Sequence, residues 1–213
     1  MFTGIIEELG RVRHCRARGN GFSLAVDCAT VLEETVPGDS IAVDGVCLTV
    51  TALDEKGFVT GLAPETRERT ALDSLSEGSA VNLERSVTPS TRMGGHFVQG
   101  HVDATGTLIE RREDADALWV GVRVPADLMR YIVRKGYVAI DGTSLTVVNT
   151  GPDHFDVTLV AYTQAHVKLP RKALGEKVNI EVDVLGKYVE RLVMPHLSGV
   201  APNPAAGAPG ATS

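Results

Sequence analysis

The chain has 213 residues and sets 21 Lys and Arg against 27 Asp and Glu, a formal net charge of −6. That acidic balance lacks the basic footprint of a nucleic-acid binder, and no apolar run is long enough to span a bilayer. The cysteines Cys15, Cys28 and Cys47 are odd in number and lack paired spacing, and Met1–Glu8 has no basic n-region, so the sequence predicts free thiols and a cytoplasmic setting.

Phe2 to Val12 mixes β-branched residues with Gly4 and Gly10, which predicts a strand with a bend. Phe22 to Val26 reads as the next strand. Val36-Pro37-Gly38-Asp39-Ser40 is turn chemistry, with Pro fixing φ and Gly tolerating a positive φ. Ile41–Val43 and Cys47–Leu53 then flank an Asp44-Gly45 dipeptide, a strong hairpin signal. Phe58–Leu62 is a further strand, Pro64-Glu65-Thr66 starts a helical turn, and Ala80–Arg85 closes the half.

The second half repeats this series. His96–Leu108 takes the place of the opening strand and Leu118–Val124 that of the second, with a short helix expected over Asp127–Val133. Lys135-Gly136 leads into the second hairpin, and Phe155–Val160 and Lys177–Val184 complete the unit. Leu185, Tyr188, Val189, Leu192 and Val193 then fall at helical spacing. As an appendage beyond a finished unit, this helix is expected to bury its apolar stripe on a partner chain. From Ser198 onward the Pro, Ala and Gly content predicts disorder.

The repeat is explicit. Asp44-Gly45-Val46-Cys47-Leu48-Thr49-Val50 returns as Asp141-Gly142-Thr143-Ser144-Leu145-Thr146-Val147, with Asp, Gly, Leu, Thr and Val unchanged. The same displacement carries Gly78–Glu84 onto Gly175–Glu181, and a one-residue slip carries Gly4 and Gly10 onto Gly100 and Gly106. A unit of short strands and glycine turns, written twice, predicts an all-β fold of two tandem six-stranded antiparallel β-barrels plus a C-terminal α-helix. The expected divisions are 1–94, 95–184, an oligomerisation helix at 185–197 and a tail at 198–213.

Positions where the copies differ are candidates for chemistry. Cys47 corresponds to Ser144, Ser40 to Tyr137, Glu65 to Tyr162 and Ile5 to His101. Period two puts Cys47 with Thr49, and Ser144 with Thr146, on one strand face. Such a polar ladder suits a pocket for a polar heterocycle. His96 and His101 are five residues apart, so a regular strand would point them to opposite faces; this argues against a shared metal. A structural role is the ordinary reading of either histidine, and His101 carries more weight because its counterpart is Ile5.

Met1-Phe2-Thr3-Gly4-Ile5, the Asp44–Val50 hairpin, Gly95–Val102 and Lys135–Val147 together resemble the riboflavin synthase family, in order and with its duplication, over Met1 to about Val193. The resemblance implies a homotrimer held by the C-terminal helix. It also implies that two molecules of 6,7-dimethyl-8-ribityllumazine dismutate to riboflavin and 5-amino-6-ribitylaminouracil, with no metal or other cofactor. The site would lie between the first barrel of one subunit and the second of its neighbour.

Carried over position by position, the substrate segments are Gly4, Ile5 and Ile6; Cys47, Leu48 and Thr49; and Gly61, Leu62, Ala63, Pro64, Glu65 and Thr66. In the second half they are His101, Val102 and Asp103; Lys135; Ser144, Leu145 and Thr146; and Val160, Ala161, Tyr162, Thr163, Gln164 and Ala165. Cys47, His101, Asp141 and Ser144 are the candidates for nucleophile activation and proton transfer. The chain departs from the family pattern where Tyr162 and Gln164 replace an acidic motif. The resemblance also raises an association with lumazine synthase. A non-catalytic lumazine- or flavin-binding antenna on the same fold is the alternative, whereas a flavin reductase would need a Gly-rich nucleotide-binding domain that the sequence lacks.

Overall fold

The computed structural model describes residues 1–18 and 21–197, so the tail expected from Ser198 lies outside the described residues. Its strands close into two barrels. The first contains β1 (Glu8–Arg18), β2 (Gly21–Asp27), β3 (Ser40–Val43), β4 (Val46–Asp54), β5 (Gly57–Leu62) and β6 (Ala80–Arg85), in the cyclic order β1-β2-β5-β4-β3-β6. The second contains β7 (Ala104–Asp114), β8 (Ala117–Arg123), β9 (Tyr137–Ile140), β10 (Thr143–Thr150), β11 (His154–Leu159) and β12 (Lys177–Val182), closed in the equivalent order. Even the bulges recur, at Val12/His14 and Leu108/Glu110 and at Val50/Ala52 and Val147/Asn149.

Alternation fills each barrel. Val46, Leu48 and Val50 of β4 are buried inside, which leaves Cys47 half-buried and Thr49 exposed on the outer wall. On β10, Leu145 and Val147 point in while Ser144 and Thr146 take the equivalent outer positions. Both hairpins turn on an Asp-Gly pair with positive φ at both residues, 48° and 76° in the first half and 44° and 79° in the second. This is the backbone of a two-residue turn whose twist matches the strands it joins.

The opening segments of the two halves are not barrel strands, contrary to expectation. Barrel pairing begins at Glu8 and Ala104, because Gly4 and Gly100, both at φ +78°, interrupt the extended chain. Phe2 forms a lone antiparallel bridge with Val98, and each segment then runs onto the opposite barrel. Ile6 packs against the core of the second barrel, and Val102 against the core of the first. The helix expected over Asp127–Val133 is a 3-10 turn at Ala126–Tyr131, matched in the first half by one at Thr30–Leu32.

The barrels meet at a pseudo-twofold junction. Phe2, Val98, Ala42 and Ala139 form its apolar part. The two turns lie back to back, so that a Cβ on Gly142 would come within 2.8 Å of the Gly45 nitrogen. Asn82 Nδ2 donates to the Asp141 carbonyl and Asn179 Nδ2 to the Asp44 carbonyl, both at 2.8 Å. In turn Asp44 Oδ1 accepts the Asn82 N–H, and Asp141 Oδ1 the Asn179 N–H, at 2.8 Å. The Asn82 and Asn179 side-chain oxygens accept the N–H groups of Lys168 (2.9 Å) and Ala71 (2.7 Å).

Two lysines break this symmetry. Lys168 stands where the first half has Ala71; it pairs with Asp44, and its Nζ lies 3.9 Å from Asp141 Oδ2. Lys172 Nζ is 3.3 Å from the same oxygen. Burial alone would depress the Lys168 pKa, but Asp44 and Asp141 outweigh it and hold the pKa above its ordinary value.

Met1–Asp183 forms one compact unit that contains both barrels, and a second unit begins at Val184. That unit holds helix α3 (Val184–Leu197), on which Tyr188, Val189, Leu192 and Val193 are exposed. Among the described residues no helix is long and apolar enough to cross a membrane.

Candidate functional site

The crossing of the opening segments builds two quasi-equivalent half-sites, each from one barrel's hairpin strand and the other half's opening segment. In the first, the Cys47 N–H donates to the Gly100 carbonyl at 2.8 Å, which sets His101–Asp103 beside Cys47–Thr49. In the second, the Ser144 N–H donates to the Gly4 carbonyl at 2.8 Å, which sets Gly4–Ile6 beside Ser144–Thr146. Glycine is required at both crossings. A Cβ on Gly100 would come within 2.7 Å of Cys47 Cβ, and one on Gly4 within 2.6 Å of Ser144 Cβ.

A buried glutamate clamps each segment. Glu84 accepts the Thr3 N–H and hydroxyl through Oε1 (2.7 and 2.8 Å) and the Gly4 N–H through Oε2 (3.0 Å). Glu181 accepts the N–H groups of Gln99 (2.6 Å) and His101 (2.8 Å). Burial pushes the Glu84 carboxyl up, against the hydrogen bonds from Thr3 and Gly4.

Beside Cys47–Thr49, strand β5 carries Gly61, and a Cβ there would meet nothing within 4 Å. A hollow of about 350 Å³ lies over this position, walled by Phe22, Ser23, Thr51, Thr60, Leu62 and Ala63. Pro64, Glu65 and Thr66 follow in helix α1 (Pro64–Arg69). In the second half Val160 is exposed and leads into helix α2 (Ala161–His166), which contains Tyr162, Thr163, Gln164 and Ala165. Lys135, exposed at the mouth of the β9–β10 hairpin, adopts φ +66° where the first half has Gly38 at +102°. A second hollow of about 690 Å³ includes Thr3, Ile5 and Ser40; of the acids that line it, Glu7 is paired with Arg85 and Glu84 holds the opening segment.

Sequence reasoning missed His96. The regular strand assumed for it does not form; instead its ring Nδ1 lies 2.7 Å from Ser144 Oγ and its ring stacks on Tyr137, with centroids 5.2 Å apart and planes 10° apart. His96 is 7% exposed, Nε2 has no hydrogen-bond partner among the described residues, and burial holds its pKa below the ordinary 6.5. A neutral imidazole in contact with a serine hydroxyl can accept its proton. The available signal was the asymmetry of Ser40 and Tyr137, because Tyr137 supplies the stacking face.

Asp141, a candidate for proton transfer, is fully buried, with its carboxylate turned to Asn179 and Lys172 within the junction. Its position fixes the turn that carries Ser144. Among the described residues no three His, Cys, Asp or Glu side chains converge as a metal would require, and Cys15, Cys28 and Cys47 are free thiols.

A lumazine binding domain model matches twice, at residues 3–86 and 99–183, so that each match spans one barrel. The riboflavin synthase of Schizosaccharomyces pombe is 45% identical over 93% of this chain and 96% of its own length. The chain belongs to the riboflavin synthase family. The Bacillus subtilis enzyme is 40% identical, covering 91% of this chain and 90% of its own. Crystal structures of LumP complexed with 6,7-dimethyl-8-(1'-D-ribityl) lumazine and with riboflavin share the fold, with TM-scores of 0.77 and 0.79. Each is 22% identical and covers 85% of this chain and 99% of the other.

Proposed function

We propose that the chain is a riboflavin synthase, which converts two molecules of 6,7-dimethyl-8-ribityllumazine into riboflavin and 5-amino-6-ribitylaminouracil. The observation that carries this reading is the pair of half-sites: alike in backbone, they differ where chemistry would differ, with Cys47 in one and a Ser144–His96 pair in the other. A reaction between two copies of one substrate needs two similar seats, and opposite fates for the copies need different groups at each.

The 7-methyl group of one lumazine is acidic because its carbanion delocalises into the ring. The Ser144–His96 pair would remove that proton, with burial keeping the imidazole neutral and able to accept. Cys47 would add to the partner lumazine as nucleophile and later leave. Four carbons pass from donor to acceptor, and the two products contain every atom of the two substrates, so no external oxidant is required. Holding both rings face to face supplies much of the acceleration. Asp141 acts through the turn it fixes, and His101 lines the Cys47 half-site.

The same reading pairs the first half-site of one subunit with the second of another, in a cytoplasmic homotrimer. The exposed Tyr188, Val189, Leu192 and Val193 of α3 support such assembly. Association with lumazine synthase is a finer expectation of the same kind. The test is complementation: Cys47→Ala and Ser144→Ala chains, each deficient alone, are unfolded together and refolded. Activity should return in the mixture, because some interfaces then join two intact half-sites. Mixtures no more active than their components would contradict pairing between subunits.

A further inference from the structure

His96 has no counterpart in the first half: the register that carries Gly4 onto Gly100 would put it before Met1. Its backbone is anchored, because its N–H donates to the Thr3 carbonyl at 3.1 Å. Gly95 before it lies so close to Ser144 that a Cβ there would come within 2.8 Å of Oγ. A backbone anchor does not aim an imidazole, since the terminal torsion of histidine is broad. Nδ1 meets Ser144 Oγ at 2.7 Å, but Nε2 has no hydrogen-bond partner among the described residues that would resist rotation of the ring.

The flat face of the imidazole rests on Tyr137, with centroids 5.2 Å apart and planes 10° apart. Tyr137 opens β9 and pairs with Thr146 of β10, so the hairpin that carries Ser144 also sets this ring. The equivalent Ser40 pairs with Thr49 in the same way, but offers no ring and lines the hollow of about 690 Å³. We propose that Tyr137 is a positioning residue: its ring holds the His96 imidazole in the orientation that keeps Nδ1 on Ser144 Oγ. A near-parallel ring leaves the imidazole free to slide a little and blocks it from turning edge-on. The proposal rests on the riboflavin synthase reading, which makes Ser144–His96 the pair that takes the proton.

The test compares the full chain with Tyr137→Ser and Tyr137→Phe, each carrying isotope-labelled histidine. The first barrel closes with Ser40 in this place, so Tyr137→Ser is compatible with folding. With the imidazole neutral, ring-nitrogen NMR of wild type and Tyr137→Phe should show one His96 tautomer, with Nδ1 as acceptor. Tyr137→Ser should show the averaged signals of a mobile ring. A placed base contributes roughly 10²–10⁴-fold, so Tyr137→Ser should lose about tenfold or more in kcat for riboflavin formation, with KM within about twofold. Tyr137→Phe should keep both constants. A single acceptor tautomer in Tyr137→Ser, a loss in Tyr137→Phe as large as in Tyr137→Ser, or a KM that rises as far as kcat falls would each overturn the proposal. If wild type forms no riboflavin, the riboflavin synthase reading itself falls; an active wild type with an equally active Tyr137→Ser removes Tyr137 alone.

Discussion

Lys168→Met removes the charge that the junction is built around. Lys168 is 7% exposed, and its partners Asp44 and Asp141 are 1% and 0% exposed, so neither carboxylate can turn to water. Breaking a buried ion pair by deleting one partner costs about 3–5 kcal/mol. Lys172, 3.3 Å from Asp141, stays in place, which puts the expected loss at the lower end of that range. For a unit of this size each kcal/mol shifts the melting temperature by about 2–4 °C, so the variant should melt roughly 6–12 °C below wild type.

Adding Asp44→Asn to Lys168→Met removes the stranded charge while keeping the oxygen that accepts the Asn82 N–H at 2.8 Å. The double variant should therefore be more stable than the single one in thermal or urea unfolding at pH 7. Two results would refute the reasoning: a Lys168→Met variant within about 1 kcal/mol of wild type, the range of an exposed pair, or a double variant no more stable than the single.

Gly100→Ala should lose more stability and raise KM more than Gly38→Ala. Both positions have positive φ, but only at Gly100 does the new methyl meet Cys47, whereas at Gly38 nothing lies within 4 Å; equal effects would argue against close approach at the crossing. The acid limb of kcat/KM should fall below pH 6.5, because His96 must be neutral to accept and burial lowers its pKa from that value. The folded chain binds this proton more weakly than the unfolded chain does. The stability contributed by neutral His96 is therefore present above pH 6.5 and lost as pH falls below it. A limb centred above pH 6.5 would remove His96 from the base.

The parts of this molecule legible in its sequence are those written locally. Asp44-Gly45 and Asp141-Gly142 announce their hairpins, and period two puts Cys47 with Thr49 and Ser144 with Thr146 on one strand face, which the closed barrels make the outer wall. The duplication supplies the two barrels. The crossing of Phe2–Ile6 and Val98–Val102 was not legible, because it depends on hydrogen bonds between halves roughly a hundred residues apart, and the β-branched composition of Phe2–Val12 reads as a plain strand. The contact of His96 with Ser144 is not legible either, because it depends on a chain that Gly100 turns out of strand geometry. Asn82 and Asn179 were visible only as repeated letters in strands where asparagine is disfavoured. Their role in joining the barrels, like the shared charge of Lys168, exists only once the two turns face each other.

The central claim is tested most directly by mixing purified protein with 6,7-dimethyl-8-ribityllumazine, without added cofactor and with a chelator present. Riboflavin and residual lumazine are then followed together. The account predicts one riboflavin formed for every two lumazines consumed, with 5-amino-6-ribitylaminouracil as the other product. Tight binding of lumazine with no riboflavin formed would contradict it, and would make the two half-sites the seats of a ligand carrier.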